Sequence, residues 1–451
     1  LTTKSQHSGE SPLPPSGDSC LIIHPVFKSR STKTEQRVHT RDVETELAEA
    51  RGLAKAISLN VLDTVVANIR EISAGHLMGT GTREEIGLTI DDLEPSVVIV
   101  NFNLSPVQQR NLEKEWNVKV IDRTGLILEI FSERASTKEG RIQVELAHLT
   151  YQRSRLVKSW THLERQRGGT GKASGPGETQ LEIDRRLTDD KINRLEKELE
   201  KVSKQRGLQR ESRERTPFPI LAIVGYTNAG KSTLFNKLTG AEVFAEDLHF
   251  ATLDPTLRRL KLPSDQMVIL SDTVGFIADL PTTLVAAFRA TLEQVLYADV
   301  ILHVRDISSP DTDAQREDVI KVLGELGIDY RTDTRVVEVL NKIDLLDDSV
   351  GSIYRDSEFR GRQITASAKT GIGLQELLRT AETILNQNRT SLKLLLPSSA
   401  GKAIAWLHGH VAVLERSDEE QGVVMTVRMD QSEQDKFAHL FPDIDLKSVA
   451  S

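Results

Sequence analysis

Eight consecutive residues carry the strongest chemical signal in this chain: Gly225-Tyr226-Thr227-Asn228-Ala229-Gly230-Lys231-Ser232. Their spacing, G-x-x-x-x-G-K-S, suits a loop whose backbone N–H groups close around a phosphate. The glycines let the backbone curl inward. Lys231 is placed to reach the β- and γ-phosphates, and the Ser232 hydroxyl to ligate Mg²⁺. Such a loop has to be held between a buried strand and a helix, whose N-terminus adds partial positive charge. Ile220-Leu221-Ala222-Ile223-Val224 supplies the strand, and Thr233-Leu234-Phe235-Asn236-Lys237-Leu238 the helix, with Thr233 counted among the nucleotide contacts.

About forty residues on, Val268-Ile269-Leu270-Ser271 reads as a second buried strand ending in Asp272-Thr273-Val274-Gly275. An aspartate there holds Mg²⁺ through water, and the Gly275 N–H meets the γ-phosphate. A D-x-x-G alone is usually only a turn; its place after a phosphate loop gives it this meaning. Between the two lies Phe250-Ala251-Thr252-Leu253-Asp254-Pro255-Thr256. A threonine from this interval would complete the protein ligands to Mg²⁺, Thr252 being the first choice and Thr256 the alternative.

Val336-Val337-Glu338-Val339-Leu340 forms a third strand, followed by Asn341-Lys342-Ile343-Asp344. The Asp344 carboxylate can accept two hydrogen bonds from the N1–H and N2–H₂ edge of guanine. Adenine has no such donor pair and would leave a charge unpaired. Asn341 is expected to tie this loop to the phosphate loop, and the Lys342 stem to cover the ring. After the next strand, Gln363-Ile364-Thr365, a backbone N–H of Ser367-Ala368-Lys369 is placed to meet guanine O6. These residues together imply GTP as substrate.

Phe276 follows the D-x-x-G motif, where many regulatory GTPases carry a water-orienting glutamine. Phenylalanine offers no hydrogen bond, so intrinsic hydrolysis is expected to be slow. Asn228 either helps to place a K⁺ near the β- and γ-phosphates or merely supports the turn. The catalytic set is then Lys231, Thr252, Gly275 and Asn228, and the metal set Ser232, Thr252 and Asp272.

The rest of the 451-residue chain must position and use that site. Charged residues make up 27%, and Cys20 is the only cysteine, which excludes a disulfide framework and a cysteine zinc site. No apolar run approaches the length of a membrane span. Residues 1–20 are polar and Pro/Ser-rich, read as a disordered tail without a signal core. Residues 21–140 alternate strands such as Val97-Val98-Ile99-Val100-Asn101 with helices, one opened by Ser105-Pro106, and form an α/β domain. Gly79-Thr80-Gly81 is a turn or a weak anion motif. Residues 216–390 form the nucleotide domain, and 391–451 a small α+β domain.

Between them, residues 141–215 change character. Ile142, Leu146, Leu149, Leu156, Trp160 and Leu163 step by threes and fours, as do Ile192, Leu195, Leu199 and Val202. Each set marks one face of a helix. The glycine-rich stretch between them, residues 167–177, breaks the pattern, so the helices fold back as an antiparallel hairpin with this loop at its tip. Residues 151–215 hold 17 Lys and Arg against 11 Asp and Glu, a net of +6, while the whole chain is −8. Near the tip stand Arg153, Arg155, Lys158, Arg165, Arg167 and Lys172, opposed only by Glu164. A basic tip on a rigid arm suits insertion among RNA phosphates; a solvated coiled-coil face is the alternative.

In these residues the chain resembles the HflX GTPases of the Obg–HflX group. The likeness covers nearly everything from about residue 38. Its specific marks are Leu146-Ala147-His148-Leu149-Thr150-Tyr151-Gln152-Arg153-Ser154-Arg155-Leu156, Gly175-Pro176-Gly177-Glu178-Thr179-Gln180-Leu181-Glu182-Ile183-Asp184-Arg185-Arg186, and the phosphate loop. Residues 106–163 look most like alphaproteobacterial members. The tip, Gly169-Thr170-Gly171-Lys172-Ala173-Ser174-Gly175, departs from the Phe- and Gly-richer form of many relatives.

The resemblance implies a GTPase that binds the large (50S) ribosomal subunit and its rRNA and splits or rescues 70S ribosomes under stress; the chain is read as a cytoplasmic monomer with no DNA partner and no membrane span. Large-subunit assembly, or an RNA-binding switch with incidental hydrolysis, are the alternatives. It makes Thr252 the second Mg²⁺ ligand and Phe276 a normal family residue. It also implies ATP binding by the N-terminal domain of some members.

Overall fold

The computed structural model describes residues 19–27, 42–166, 180–213, 218–241, 250, 256–278, 294–346, 362–387, 390–397, 399–419, 422–429, 431–444 and 447–448. Three sheets and one helical arm organise them.

The first sheet uses β1 (Ser19–Phe27), β2 (Asn60–Ile69), β3 (Val97–Val100) and β4 (Lys119–Asp122), ordered β2-β1-β3-β4 and parallel throughout. Four helices cover it: α1 (Val43–Ala56), α2 (Thr80–Leu93), α3 (Pro106–Trp116) and α4 (Arg123–Arg134). Near-continuous apolar strands are what two covered faces require. Cys20, Ile22, Val97 and Ile99 pack toward α1 and α4. Leu21, Ile23, Val98 and Val100 pack toward α2 and α3. The Ser105-Pro106 start is present as a full capping box, Ser105 Oγ accepting from Gln108 N and Gln108 Oε1 accepting from Ser105 N at 2.8 Å. Gly79-Thr80-Gly81 is no open loop: Gly79 caps α2, which begins at Thr80.

The arm consists of α5 (Lys138–Gln166, 29 residues) and α6 (Gln180–Arg213, 34 residues). At 1.5 Å per residue these are roughly 43 and 50 Å long. Ion pairs Lys138–Glu198 (2.8 Å), Glu145–Lys191 (2.8 Å) and Arg153–Asp189 (3.1 Å) descend on one helix as they climb on the other, the register of an antiparallel pair. Ile142, Ile192 and Leu195 are buried along the seam. The expected tip and its basic residues Arg167 and Lys172 lie outside the described residues.

The central sheet contains β5 (Ile220–Gly225), β6 (Thr256–Lys261), β7 (Met267–Asp272), β8 (Val300–Asp306), β9 (Val336–Asn341) and β10 (Gln363–Thr365). The order is β10-β9-β8-β5-β7-β6, parallel except for the edge strand β6. With α7 (Lys231–Thr239), α8 (Thr312–Glu325) and α9 (Leu374–Asn386), it makes two cores, one on each face. The third sheet, antiparallel β12-β13-β11-β14, uses β11 (Thr390–Leu396), β12 (Ala412–Glu419), β13 (Gly422–Met429) and β14 (Lys447–Ser448). It packs on α10 (Gly401–His410) and α11 (Gln431–Leu440) through Ala403, Leu407 and Phe437.

Candidate active site

Three loops meet at the carboxyl ends of β5, β9 and β10, the edge of a parallel sheet where ligands settle. The residues of the phosphate loop span the end of β5 and the start of α7. Gly230 caps α7 in the left-handed region (φ 91°), and a Cβ there would stand 2.3 Å from Asn341 Nδ2. Both the backbone conformation and the close approach demand glycine. Asn341 Nδ2 donates to the Ala229 carbonyl at 2.8 Å, and Asn341 Oδ1 accepts from the Ala368 N–H at 2.9 Å. One buried carboxamide therefore ties the three loops together. Of the three backbone N–H groups of Ser367-Ala368-Lys369 expected near guanine O6, that of Ala368 is bonded to Asn341 here.

Lys231 is buried, and its Nζ donates to the Tyr226 carbonyl at 2.6 Å. Burial pushes its ammonium down to about 8, against the opposing pull of the Asp272 carboxylate. Ser232 Oγ donates to Asp272 Oδ2 at 2.8 Å, so two of the three expected metal ligands adjoin. A hydroxyl beside a carboxylate is an oxygen donor set that fits Mg²⁺. Gly275 lies so close to the loop that an added Cβ would be 2.9 Å from Lys231 Nζ. The residue after it is stitched to the same loop: Phe276 N donates to the Gly225 carbonyl at 3.0 Å, and Thr227 N to the Phe276 carbonyl at 2.7 Å.

At the base-binding end, Asp344 is exposed in a 3₁₀ turn, Ile343–Leu345. Lys342 takes φ 66°, and its ammonium pairs with Asp306 at 2.8 Å. Ser367 is buried and caps its own loop through Thr370 N, at 3.0 Å. Asn228 adopts φ 60° with an exposed side chain. Asparagine tolerates that region better than most residues. Thr233 is exposed on α7.

The side chains of several residues expected at the nucleotide turn into the protein, leaving their backbone groups to meet it. The Tyr226 hydroxyl donates to Glu49 of α1 at 2.5 Å and accepts from the Ala278 N–H at 2.9 Å. Phe250 is buried against Phe131 of α4, ring centroids 4.6 Å apart and nearly perpendicular. Thr273 Oγ1 donates to the Ile223 carbonyl at 2.6 Å, and Val274 joins the core under α4. Ala251, Thr252, Leu253 and Asp254 lie outside the described residues.

Sequence reasoning missed Glu49, Arg123 and Asp122. Glu49 in an amphipathic helix reads as a solvated acid, and nothing in its neighbours signals otherwise. The one available hint is α4, whose residues Arg123 to Phe131 are all buried. A helix covered on every side must have partners beyond its own sheet.

Comparison with known proteins accords with this arrangement. The model for the GTP-binding GTPase N-terminal region matches residues 44–132, and that for the middle region 134–213. A 50S ribosome-binding GTPase model matches 220–342, and an HflX C-terminal domain model 352–442. The GTPase HflX of Magnetococcus marinus is 48% identical over 391 residues, 86% of this chain and 89% of the relative. The chain belongs to the HflX GTPase family. HflX relatives from Caldanaerobacter subterraneus (44% over 380 residues, 84% of this chain and 86% of theirs) and Escherichia coli K12 (40% over 414 residues, 92% and 94%) match comparably. As a member of the HflX family, the chain is a GTP hydrolase with a ribosome-binding GTPase domain. Among the described residues, no helix is long and apolar enough to cross a membrane.

Proposed function

We propose that this chain is a cytoplasmic factor that docks on the large ribosomal subunit, hydrolyses GTP there, and splits or rescues 70S ribosomes under stress. The observation that carries the reading is the arm: two long antiparallel helices anchored to the same protein core that adjoins the phosphate loop. The match of residues 220–342 to the 50S ribosome-binding GTPase family supports the docking partner. The basic residues toward the arm's tip suit rRNA phosphates.

In this reading the phosphate loop cradles the β- and γ-phosphates, and Lys231 neutralises their charge. Ser232 and Thr252 directly, and Asp272 through water, would hold Mg²⁺, which when bound would supply charge neutralisation at the transferring phosphoryl group. Gly275 offers its N–H to the γ-phosphate, and Asp344 reads guanine. Asn228 helps to hold a K⁺ in this reading, unless it merely supports the turn. Phe276 cannot orient water, so the ribosome completes that part. The deciding experiment measures GTP hydrolysis with and without purified large subunits, in K⁺ and in Na⁺, and follows 70S particles in sucrose gradients. Stimulation by large subunits, with GTP-dependent loss of the 70S peak, is expected. Stimulation without 70S loss would leave large-subunit assembly as the function.

A further inference from the structure

The N-terminal sheet and the nucleotide site share one core. Tyr226, Phe250, Val274, Ile277 and Ala278 pack with Ile127, Phe131 and the residues beneath α1 and α4. Within that apolar contact runs a polar chain. Tyr226, inside the phosphate loop, bonds to the Ala278 N–H, three residues past Gly275, and to the Glu49 carboxylate. Glu49 also pairs with Arg123, the first residue of α4. Arg123 in turn donates to the Asn101 side chain at 2.7 Å and to the Ala278 carbonyl at 3.4 Å. Both backbone polar groups of Ala278 are thus engaged by one network rooted in the first sheet.

The residue before Arg123 holds the arm. Asp122 caps α4 through Gly125 N at 2.8 Å and accepts from Tyr151 Oη at 2.6 Å and Arg155 Nη2 at 2.5 Å, both on α5. The Arg155 guanidinium also stacks over the Tyr151 ring, 4.1 Å from its centroid. Two adjacent residues at one helix N-terminus therefore grip two different things: Asp122 the arm, Arg123 the segment that follows Asp272-Thr273-Val274-Gly275.

We propose that Glu49 and Arg123 are positioning residues for GTP hydrolysis, acting through Tyr226 and Ala278 to set where Gly275 stands, and that the α4 N-terminus links that setting to the arm. The proposal rests on reading residues 225–232 and 272–275 as the nucleotide site. Hydrogen bonds to charged groups in a buried setting are strong enough for their loss to displace a rate by about fivefold or more.

The test uses the full chain with Glu49→Gln, Tyr226→Phe, the double variant and Tyr151→Phe. Steady-state GTP hydrolysis without ribosomes gives kcat and KM, a fluorescent GTP analogue reports binding, and thermal melts verify folding. Glu49→Gln and Tyr226→Phe are each expected to displace kcat by about fivefold or more with KM within twofold, since neither changed atom faces the nucleotide. A fall means the network presents Gly275; a rise means it restrains Gly275; both bear the proposal out. The double variant should move no further than the larger single effect. Tyr151→Phe, which touches only the arm's anchor, should displace kcat in the same direction. Folded variants that bind the analogue normally yet show unchanged kcat, or single effects that multiply in the double variant, overturn the proposal. An unmoved kcat in Tyr151→Phe overturns the link to the arm.

Discussion

Asn341 and Ala229 lie 112 residues apart in sequence, yet the Asn341 carboxamide donates to the Ala229 carbonyl at 2.8 Å inside the turn that would hold phosphate. Its oxygen takes the Ala368 N–H, so removing the side chain orphans two backbone groups in a buried place. Asn341→Ala is expected to destabilise the central sheet by about 2–4 kcal/mol. It should also weaken GTP and GDP binding together, because both the phosphate loop and the base loop lose their tie. Urea unfolding and nucleotide titration check this; a change confined to one nucleotide would contradict it.

Asp344 stands exposed at the mouth of the site on a turn fixed by Lys342 and Asp306. In the proposed function its carboxylate meets the donor edge of guanine. Asp344→Asn exchanges one acceptor oxygen for a donor, which suits the carbonyl of xanthine at the same ring position. GTP affinity should fall by about tenfold or more while XTP affinity rises. Competition binding with the two nucleotides is the measurement, and unaltered GTP affinity would remove Asp344 from base recognition.

The strands and the loop order around this site are legible in the sequence because they rest on local rules. Buried parallel strands are continuous apolar runs, so Ile220–Gly225, Met267–Asp272 and Val336–Asn341 appear within a residue or so of their read positions. The Ser105-Pro106 start was equally local. What could not be read is which side chain turns away. Tyr226 sits in a motif whose other members surround phosphate, yet its hydroxyl bonds to a helix 177 residues earlier. Phe250 belongs to the interval expected to hold Mg²⁺, but its ring fills the core beside Phe131. Both orientations are set by packing between sheets, which a single sequence does not encode locally. Likewise Tyr151 and Arg155 mark the family in sequence, and only the structure shows them clamping the arm to Asp122.

Gly275 has no room for a side chain. A Cβ there would meet Lys231 Nζ and Thr227 Cγ2, each at 2.9 Å, and the Thr227 backbone at 3.1 Å. Gly275→Ala must therefore displace the Lys231 ammonium and the Thr227 side chain, or the segment itself, at the γ-phosphate position. GDP affinity should stay within about threefold, since the γ-phosphate contact is the one disturbed, while kcat drops by about tenfold or more. Single-turnover hydrolysis beside GDP titration separates the two effects, and full activity in this variant would show that Gly275 takes no part.

His303 gives a pH dependence with a definite sign. It is buried on β8, 2.5 Å from Tyr330 Oη, beside a Glu338 carboxylate that accepts from Arg305 at 3.0 Å and Arg316 at 2.8 Å. Burial, helped by those two cations and opposed by Glu338, pushes the imidazole down to about 3. In the unfolded chain it takes a proton near pH 6.5. Between those values the unfolded state holds the extra proton, so stability falls as pH falls. Glu338, whose carboxyl is held below its ordinary range, loses its contribution only in stronger acid. The interval from pH 6.5 to 5 therefore lies above the Glu338 range, and linkage through His303 over it amounts to roughly 1–2 kcal/mol. His303→Gln keeps a polar partner for Tyr330 but cannot titrate. Urea unfolding at pH 6.5 and 5 should show the parent losing that much more stability than the variant, and parallel losses would mean that folded His303 already accepts the proton.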